Sequence, residues 1–220
     1  KLNVKIVATY GGLCGGKNGP THLAIEDIAI MRAIPNMVVI EPADFIETEI
    51  VIRTIVKYKG PVYVRLGRDK EPQIFKEGHN FNIGKGIIIK DGKDITFITM
   101  GIMVARTLKA SEILEKEGIN VRVINMPTIK PIDEEIIIKS AQETSAIVTI
   151  EEHNIIGGLG DAVAEVIVEN ISVPMKRVGI KDTFTESGEN EDLRNKYGLT
   201  VENIVTTAKH VLERKLHACV

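Results

Sequence analysis

Short runs of consecutive apolar residues alternate along the chain with segments whose apolar positions recur every three or four residues. The first pattern marks strands buried on both faces, and the second marks helices with one covered face. Strands are predicted at Asn3 to Thr9, Met37 to Ile40, Val62 to Leu66, Val121 to Asn125, Ala146 to Glu151 and Met175 to Ile180. Gly86 to Lys90 and Ile95 to Thr99 are predicted to pair as a hairpin across Asp91-Gly92, a turn-forming dipeptide. Helices are predicted over Thr21 to Ala33, from an Asp44 cap to about Lys57, and from Met103 to a stop at Gly118. A short helix follows Asp133, and another follows Gly157-Gly158-Leu159-Gly160 with Val163, Val166, Ile167 and Ile171 on one side. In the last helix Val201, Ile204, Val205, Ala208, Val211 and Leu212 keep the i, i+3, i+4, i+7 spacing.

This alternation predicts an α/β fold of two three-layer αβα units with mostly parallel sheets. Residues 69–83 break the rhythm, being polar and aperiodic, and read as a linker. The division is then 1–68 for the first unit, 84–215 for the second and 216–220 for a tail. The chain opens on Lys1 and enters a strand at once. That suggests a first unit incomplete at its N-terminus, by truncation, processing or gene splitting. The bland alternative is a domain that simply begins with this strand.

Composition narrows the function classes. Of 220 residues 44% are hydrophobic and 26% charged, an ordinary globular balance. A net charge of −2 gives no electrostatic case for nucleic acid or an anionic membrane. No apolar run approaches the roughly 18 residues of a membrane span, and no signal sequence opens the chain. Cys14 and Cys219 make neither a metal-ligand nor a disulfide pattern, so a reducing cytoplasm is the default location.

The chemistry concentrates in Gly15-Gly16-Lys17-Asn18-Gly19-Pro20-Thr21-His22, a glycine-rich loop presenting a lone histidine where a helix begins. Loops at strand ends of α/β scaffolds carry function. An imidazole there can hold or move a proton near neutral pH; it can equally cap a helix. Glycines 11, 12, 15, 16 and 19 permit positive φ and close backbone approach, or simply a flexible loop. Gly157 to Gly160 lacks the spacing of a dinucleotide fingerprint. Glu151, Glu152 and His153 alternate along a strand, so they do not easily converge on one metal and read as interface or structural residues.

Gly-Pro-Thr-His, a helix, then Ile34-Pro35-Asn36-Met37 before a strand resembles the pyrimidine-binding domain of transketolases. Residues 84–215, with Glu151-Glu152-His153-Asn154-Ile155-Ile156-Gly157-Gly158-Leu159-Gly160, resemble their C-terminal domain. The whole chain is similar to the C-terminal part of these enzymes and to the C-terminal subunit of split ones. The resemblance implies thiamine diphosphate and Mg²⁺, both held mostly by a diphosphate-binding N-terminal subunit or domain. It implies transfer of a two-carbon ketol unit between sugar phosphates, and a homodimer through both domains. It makes His22 the residue that contacts substrate hydroxyls, and Arg68 the phosphate ligand, a task suited to a guanidinium fork. Arg65 resembles an arginine of deoxyxylulose-phosphate synthases. For both arginines the plain alternative is a solvated strand end beside Asp69.

Three departures bear on specificity. Tyr10 stands where many transketolases place a phosphate-gripping histidine, and Lys17-Asn18 replace an acidic pair whose aspartate reads a substrate hydroxyl. The family's pyrimidine-protonating glutamate and its stacking aromatics align upstream of Lys1, so the chain alone is expected to be inactive. Other thiamine enzymes are alternatives, although Thr21 argues against 2-oxoacid dehydrogenase beta subunits. A non-catalytic dimerisation fragment is the third reading.

Overall fold

The computed structural model describes residues 2–68 and 72–218. The predicted α/β architecture holds. The first sheet contains β1 (Lys5–Ala8), β2 (Val38–Ile40) and β3 (Val62–Arg65), with β1 and β2 both parallel to the central β3. Alternation splits its side chains between two faces. Val38, Ile40, Val62 and Val64 meet Val51 and Ile55 of α2 (Phe45–Lys57), while Val39 and Tyr63 meet Ile28 of α1 (Asp27–Ala33). Asp44 caps α2 as expected, accepting from the Glu47 N–H at 2.8 Å.

The second sheet has β4 (Ile87–Lys90), β5 (Ile95–Thr99), β6 (Val121–Asn125), β8 (Ile147–Asn154) and β9 (Met175–Ile180) in the order β4-β6-β5-β8-β9. One face packs on α3 (Met103–Lys116) and α7 (Val201–Ala218). The other packs on α4 (Glu134–Thr144) and α5 (Leu159–Asn170). Among the described residues no helix is long and apolar enough to cross a membrane.

The predicted hairpin is wrong. β4 pairs antiparallel with β6, not with β5, which lies between β6 and β8. Residues 91–94 instead cross the end of β6. Arg122 Nε donates to Asp91 at 2.8 Å, and a Cβ on Gly92 would lie 2.4 Å from the Val121 carbonyl carbon. The strand with the more buried side chains takes the interior place, and half-exposed β4 takes the edge.

The helix predicted over 21–33 begins only at Asp27. Pro20–His22 forms a separate 3-10 turn. Between them the backbone finds partners elsewhere: Ala24 O accepts from Gly12 N at 2.7 Å and Ile25 O from Asn154 N at 2.7 Å. Those carbonyls are thereby unavailable for helical bonds. Helix α7 runs on to Ala218, into the segment 216–220 expected as a tail, and residues 219–220 lie outside the described part. Of the linker, 69–71 lie outside it too. The rest packs down: Phe75 and Phe81 are buried, and Asp44 accepts from the backbone N–H of Ile74 and Phe75 at 2.7 Å each.

One strand was not anticipated. β7 (Thr128–Lys130) leaves the second sheet's connection and pairs antiparallel with β2, so the first sheet reads β1-β3-β2-β7. Its Ile129 is buried in an apolar cluster with Val39 of the first sheet and Ile98 and Ile124 of the second. The two sheets therefore share a core. Ile129→Ala is expected to lower the unfolding free energy by about 3 kcal/mol in a urea titration. A loss below about 1 kcal/mol would show that β7 does not bind the sheets together.

Candidate functional site

The glycine loop leaves β1 at its carboxyl end, beside that of β3. Tyr10 and Gly12 both take positive φ, 67° and 74°. Gly12 has no room for a side chain, since a Cβ would lie 2.1 Å from a carboxylate oxygen of Glu152. That carboxylate accepts from the Leu13 N–H at 3.1 Å. Leu13, Leu23 and Ile25 bury themselves in the second sheet's core. The loop is therefore built into the neighbouring unit.

A second contact comes from the segment leading into α6 (Asn190–Lys196), a helix the sequence did not reveal. Asn190 Oδ1 accepts from Gly16 N at 3.0 Å, and its Nδ2 donates to Cys14 O at 3.3 Å. Gly188 N donates to Gly16 O at 3.1 Å, and Lys17 pairs with Glu189 at 2.9 Å. A Cβ on Gly16 would lie 2.4 Å from Gly188 O, so only glycine allows this approach. At the loop's far end His22 is exposed, with Nδ1 3.0 Å from Thr21 Oγ1. Among the described residues nothing bonds its Nε2.

Beneath the loop lies a buried ionic network. Arg65 is 1% exposed and does not face solvent. Its Nη1 donates to Glu41 at 2.7 Å, its Nη2 to the carbonyls of Ala24 and Glu152 at 2.9 Å each, and its Nε pairs with Asp27 at 3.1 Å. Tyr63 OH also donates to Asp27, at 2.6 Å. Glu152 in turn accepts from Arg194 Nε at 2.6 Å, and Arg194 reaches Glu191 at 2.7 Å. Glu151 caps α5 by accepting from Leu159 N at 2.7 Å and Gly160 N at 2.9 Å. His153, two residues on, donates from Nδ1 to Asn154 O at 2.7 Å.

Burial works on the titratable members of this network. It raises the Glu41 carboxyl to about 7, although the Arg65 charge opposes the rise. It raises Glu151 to about 8 against the helix N–H groups that favour the anion. It lowers His153 to about 4, assisted by the Arg65 charge.

Above the network opens a cleft of about 850 Å³ between the glycine loop and the second unit. Lys17, Asn18 and Arg68 line one side; Arg106 and Lys109 of α3 and Arg194 of α6 line the other. The Arg68 guanidinium sits 4.7 Å from the centre of the Tyr10 ring. Of the sequence candidates, Lys17, Asn18 and Arg68 thus share the cleft, and Tyr10 lies under Arg68. His22 stands on the same loop but is not in the cleft lining. Arg65 is placed below as a brace. The sequence reading missed Arg106, Lys109, Asn190 and Arg194. The one available signal was Glu151-Glu152-His153, three ionisable residues closing an otherwise apolar strand.

Residues 1–73 match the family model of the transketolase pyrimidine binding domain, and residues 84–204 that of the transketolase C-terminal domain. The chain belongs to the transketolase family. It is 52% identical to a putative transketolase C-terminal section of Methanocaldococcus jannaschii, over 97% of this chain and 66% of that relative. It is 44% identical to a 6-deoxy-6-sulfo-D-fructose transketolase subunit of a Clostridium species, over 97% of this chain and 66% of the subunit. A solved split-gene transketolase, described as an inactive beta4 tetramer, superposes with a TM-score of 0.91 at 46% identity. That superposition covers 98% of this chain and 69% of the solved one. The chain thus spans about two thirds of the length of these relatives.

Transketolases depend on thiamine diphosphate. Among the described residues, no group of three or more His, Cys, Asp or Glu is arranged to hold a metal ion.

The ionic network gives stability a defined pH dependence. Unfolded glutamates lose their protons near 4.5, whereas folded Glu41 and Glu151 hold theirs to about 7 and about 8. Their contribution is full below 4.5 and is lost as pH rises through 7 to 8. His153 acts with the opposite sign: the unfolded imidazole protonates near 6.5 and the folded one near 4, so its contribution is lost as pH falls through that window. Between pH 6.5 and 8 the carboxyls act unopposed. Urea titrations are expected to show unfolding free energy falling with pH there, and Glu151→Gln is expected to flatten the fall. An unchanged slope in that variant would remove Glu151 from the account.

Proposed function

We propose that this chain is one part of a thiamine diphosphate-dependent ketol transferase and presents the substrate-facing wall of its active site. The observation that carries this reading is His22: exposed, with Nε2 open, on a loop anchored at both Leu13 and Gly16. In this reading Nε2 orients a substrate hydroxyl and takes or returns its proton, while Thr21 holds the ring through Nδ1. Asn18 hydrogen-bonds a sugar hydroxyl. Arg68, flattened on Tyr10, forks onto an anionic terminus, and Lys17 adds positive charge at the same mouth. Arg65 stays out of substrate binding and holds the loop's floor. The cofactor, with its Mg²⁺, supplies the carbanion chemistry and is held mainly by a diphosphate-binding partner.

The proposed division is a pyrimidine-binding part over 1–68 and a C-terminal domain over 84–215. Edge strand β1 supports a covering partner or segment on the first sheet, because Val4 just before it and Ile6 and Val7 within it are exposed. The description of the split-gene relative as an inactive tetramer supports a chain that self-associates and is silent by itself.

The test is a ketol-transfer assay with thiamine diphosphate and Mg²⁺. Activity is expected only when the chain is mixed with a diphosphate-binding subunit; robust transfer by the chain alone would sink the proposed division of labour. In the assembled enzyme, His22→Ala is expected to lower kcat by roughly 10²-fold. No change would remove His22 from the proposed chemistry.

Gly16→Ala offers a second check on the loop. The added methyl meets the Gly188 carbonyl, so the loop must lift from α6. Ketol transfer is expected to fall while the melting temperature drops by only a few degrees, as for an overpacking cost of about 1 kcal/mol. Full activity in this variant would show that the loop's seat on α6 is not required.

A further inference from the structure

The charges around the cleft do not balance. Lys17, Arg68, Arg106, Lys109 and Arg194 bring five cations to its lining, and Glu189 and Glu191 bring two carboxylates. Both carboxylates are already engaged, Glu189 by Lys17 and Glu191 by Arg106 and Arg194. Among the described residues neither Arg68 nor Lys109 has a carboxylate partner. These two cations come from opposite walls, Arg68 from the end of the first sheet and Lys109 from α3 of the second unit. The walls are fixed relative to each other by the bonds from Asn190 and Gly188 to the glycine loop. At the base, Arg194 is 2% exposed and held by Glu152, so the floor is rigid.

We infer that Lys109 binds the anionic terminus of the sugar substrate jointly with Arg68, so that the C-terminal unit takes part in substrate selection. The ligand class is a phosphate, or another tetrahedral oxyanion such as a sulfonate, on an aldose or ketose. A preformed cleft with two uncompensated cations favours such a group, because the anion replaces repulsion between them with two charge-assisted hydrogen bonds. Arg106 is excluded as the ligand, since Glu191 already takes its guanidinium at 2.5 Å and 2.7 Å. This inference rests on the ketol-transfer reading.

The experiment uses the chain assembled with its diphosphate-binding subunit. Acceptor preference is measured as the ratio of kcat/KM for an aldose phosphate to that for an uncharged short aldehyde. Lys109→Ala is expected to lower that ratio about tenfold, as for loss of one exposed charge-assisted contact. Lys109→Arg is expected to restore it. A separate arm titrates inorganic phosphate: it should compete with the aldose phosphate and bind about tenfold more weakly to Lys109→Ala. An unchanged ratio, or phosphate binding that does not compete with the substrate, overturns the inference. Should the assembly show no ketol transfer at all, the functional reading fails. Phosphate binding to the chain then decides this site alone, by whether Lys109→Ala weakens it.

Discussion

The arrangement depends on one buried guanidinium. Arg65 closes a point where the first sheet's strand β3, the glycine loop's return at Ala24 and the second unit's strand β8 meet. Each of these elements brings polar groups that burial leaves without water, and Arg65 answers three of them with hydrogen bonds from Nη1 and Nη2. Two carboxylates and two carbonyls accept from or pair with it. Such a buried set contributes little net stability compared with an apolar replacement, but removing one member leaves the others uncompensated at about 3–5 kcal/mol. Its value here is geometric. An apolar core would tolerate small slips between sheets, whereas the fork accepts its partners in one orientation.

The loop inherits that orientation. Gly11 lies against the Arg65 side chain so closely that a Cβ would sit 2.6 Å from it, and Gly12 lies closer still to Glu152, at 2.1 Å. Glu152 is itself fixed by Arg194, which carries the constraint on to Glu191 and Arg106. A chain of alternating charges thus runs from the first sheet, under the glycine loop, to the far wall of the cleft. The loop that carries His22 is seated by side chains more than a hundred positions away in sequence, Glu152 at Leu13 and Asn190 at Gly16. Ordering a loop in this way removes the entropy that binding would otherwise cost.

Much of the fold was legible because its signals are local. Asp44 announces α2 by its spacing to Glu47, Gly118 stops α3, and the 3.6-residue rhythm of α7 requires no partner to be recognised. What failed was non-local. Asp91-Gly92 reads as a hairpin turn because the dipeptide says nothing about which strand lies next door; parallel pairing of β5 with β6 decided it. Residues 23–26 have helix-compatible side chains, but their carbonyls are claimed by Gly12 and Asn154. β7 is three residues long, too short for a period, and exists only because β2 offers it an edge. The glycine-loop motif puts Lys17 and Asn18 on one loop with His22, of which only the first two line the cleft, while Arg65 and Arg68, three residues apart, go to opposite fates. Alternation predicted that adjacent strand residues diverge, but not that the arginine inside would find Glu41, Asp27 and Glu152 waiting for it.

That separation explains why the cleft carries excess positive charge at all. A buried arginine must be matched, and the structure spends its nearby carboxylates doing so: Glu41 and Asp27 on Arg65, Glu152 on Arg194. Glu191 then divides itself between Arg194 and Arg106. Neutralisation proceeds from the inside outward, because an unpaired charge costs most where water is absent. The cations left over are those at the solvent-facing lip, Arg68 and Lys109, where hydration keeps an unmatched charge inexpensive until an anion arrives. The same rule that stabilises the interdomain floor therefore leaves the mouth of the cleft positively charged. Lys17, drawn to Glu189 across the loop, is the intermediate case: an exposed pair of low worth that a competing oxyanion can displace.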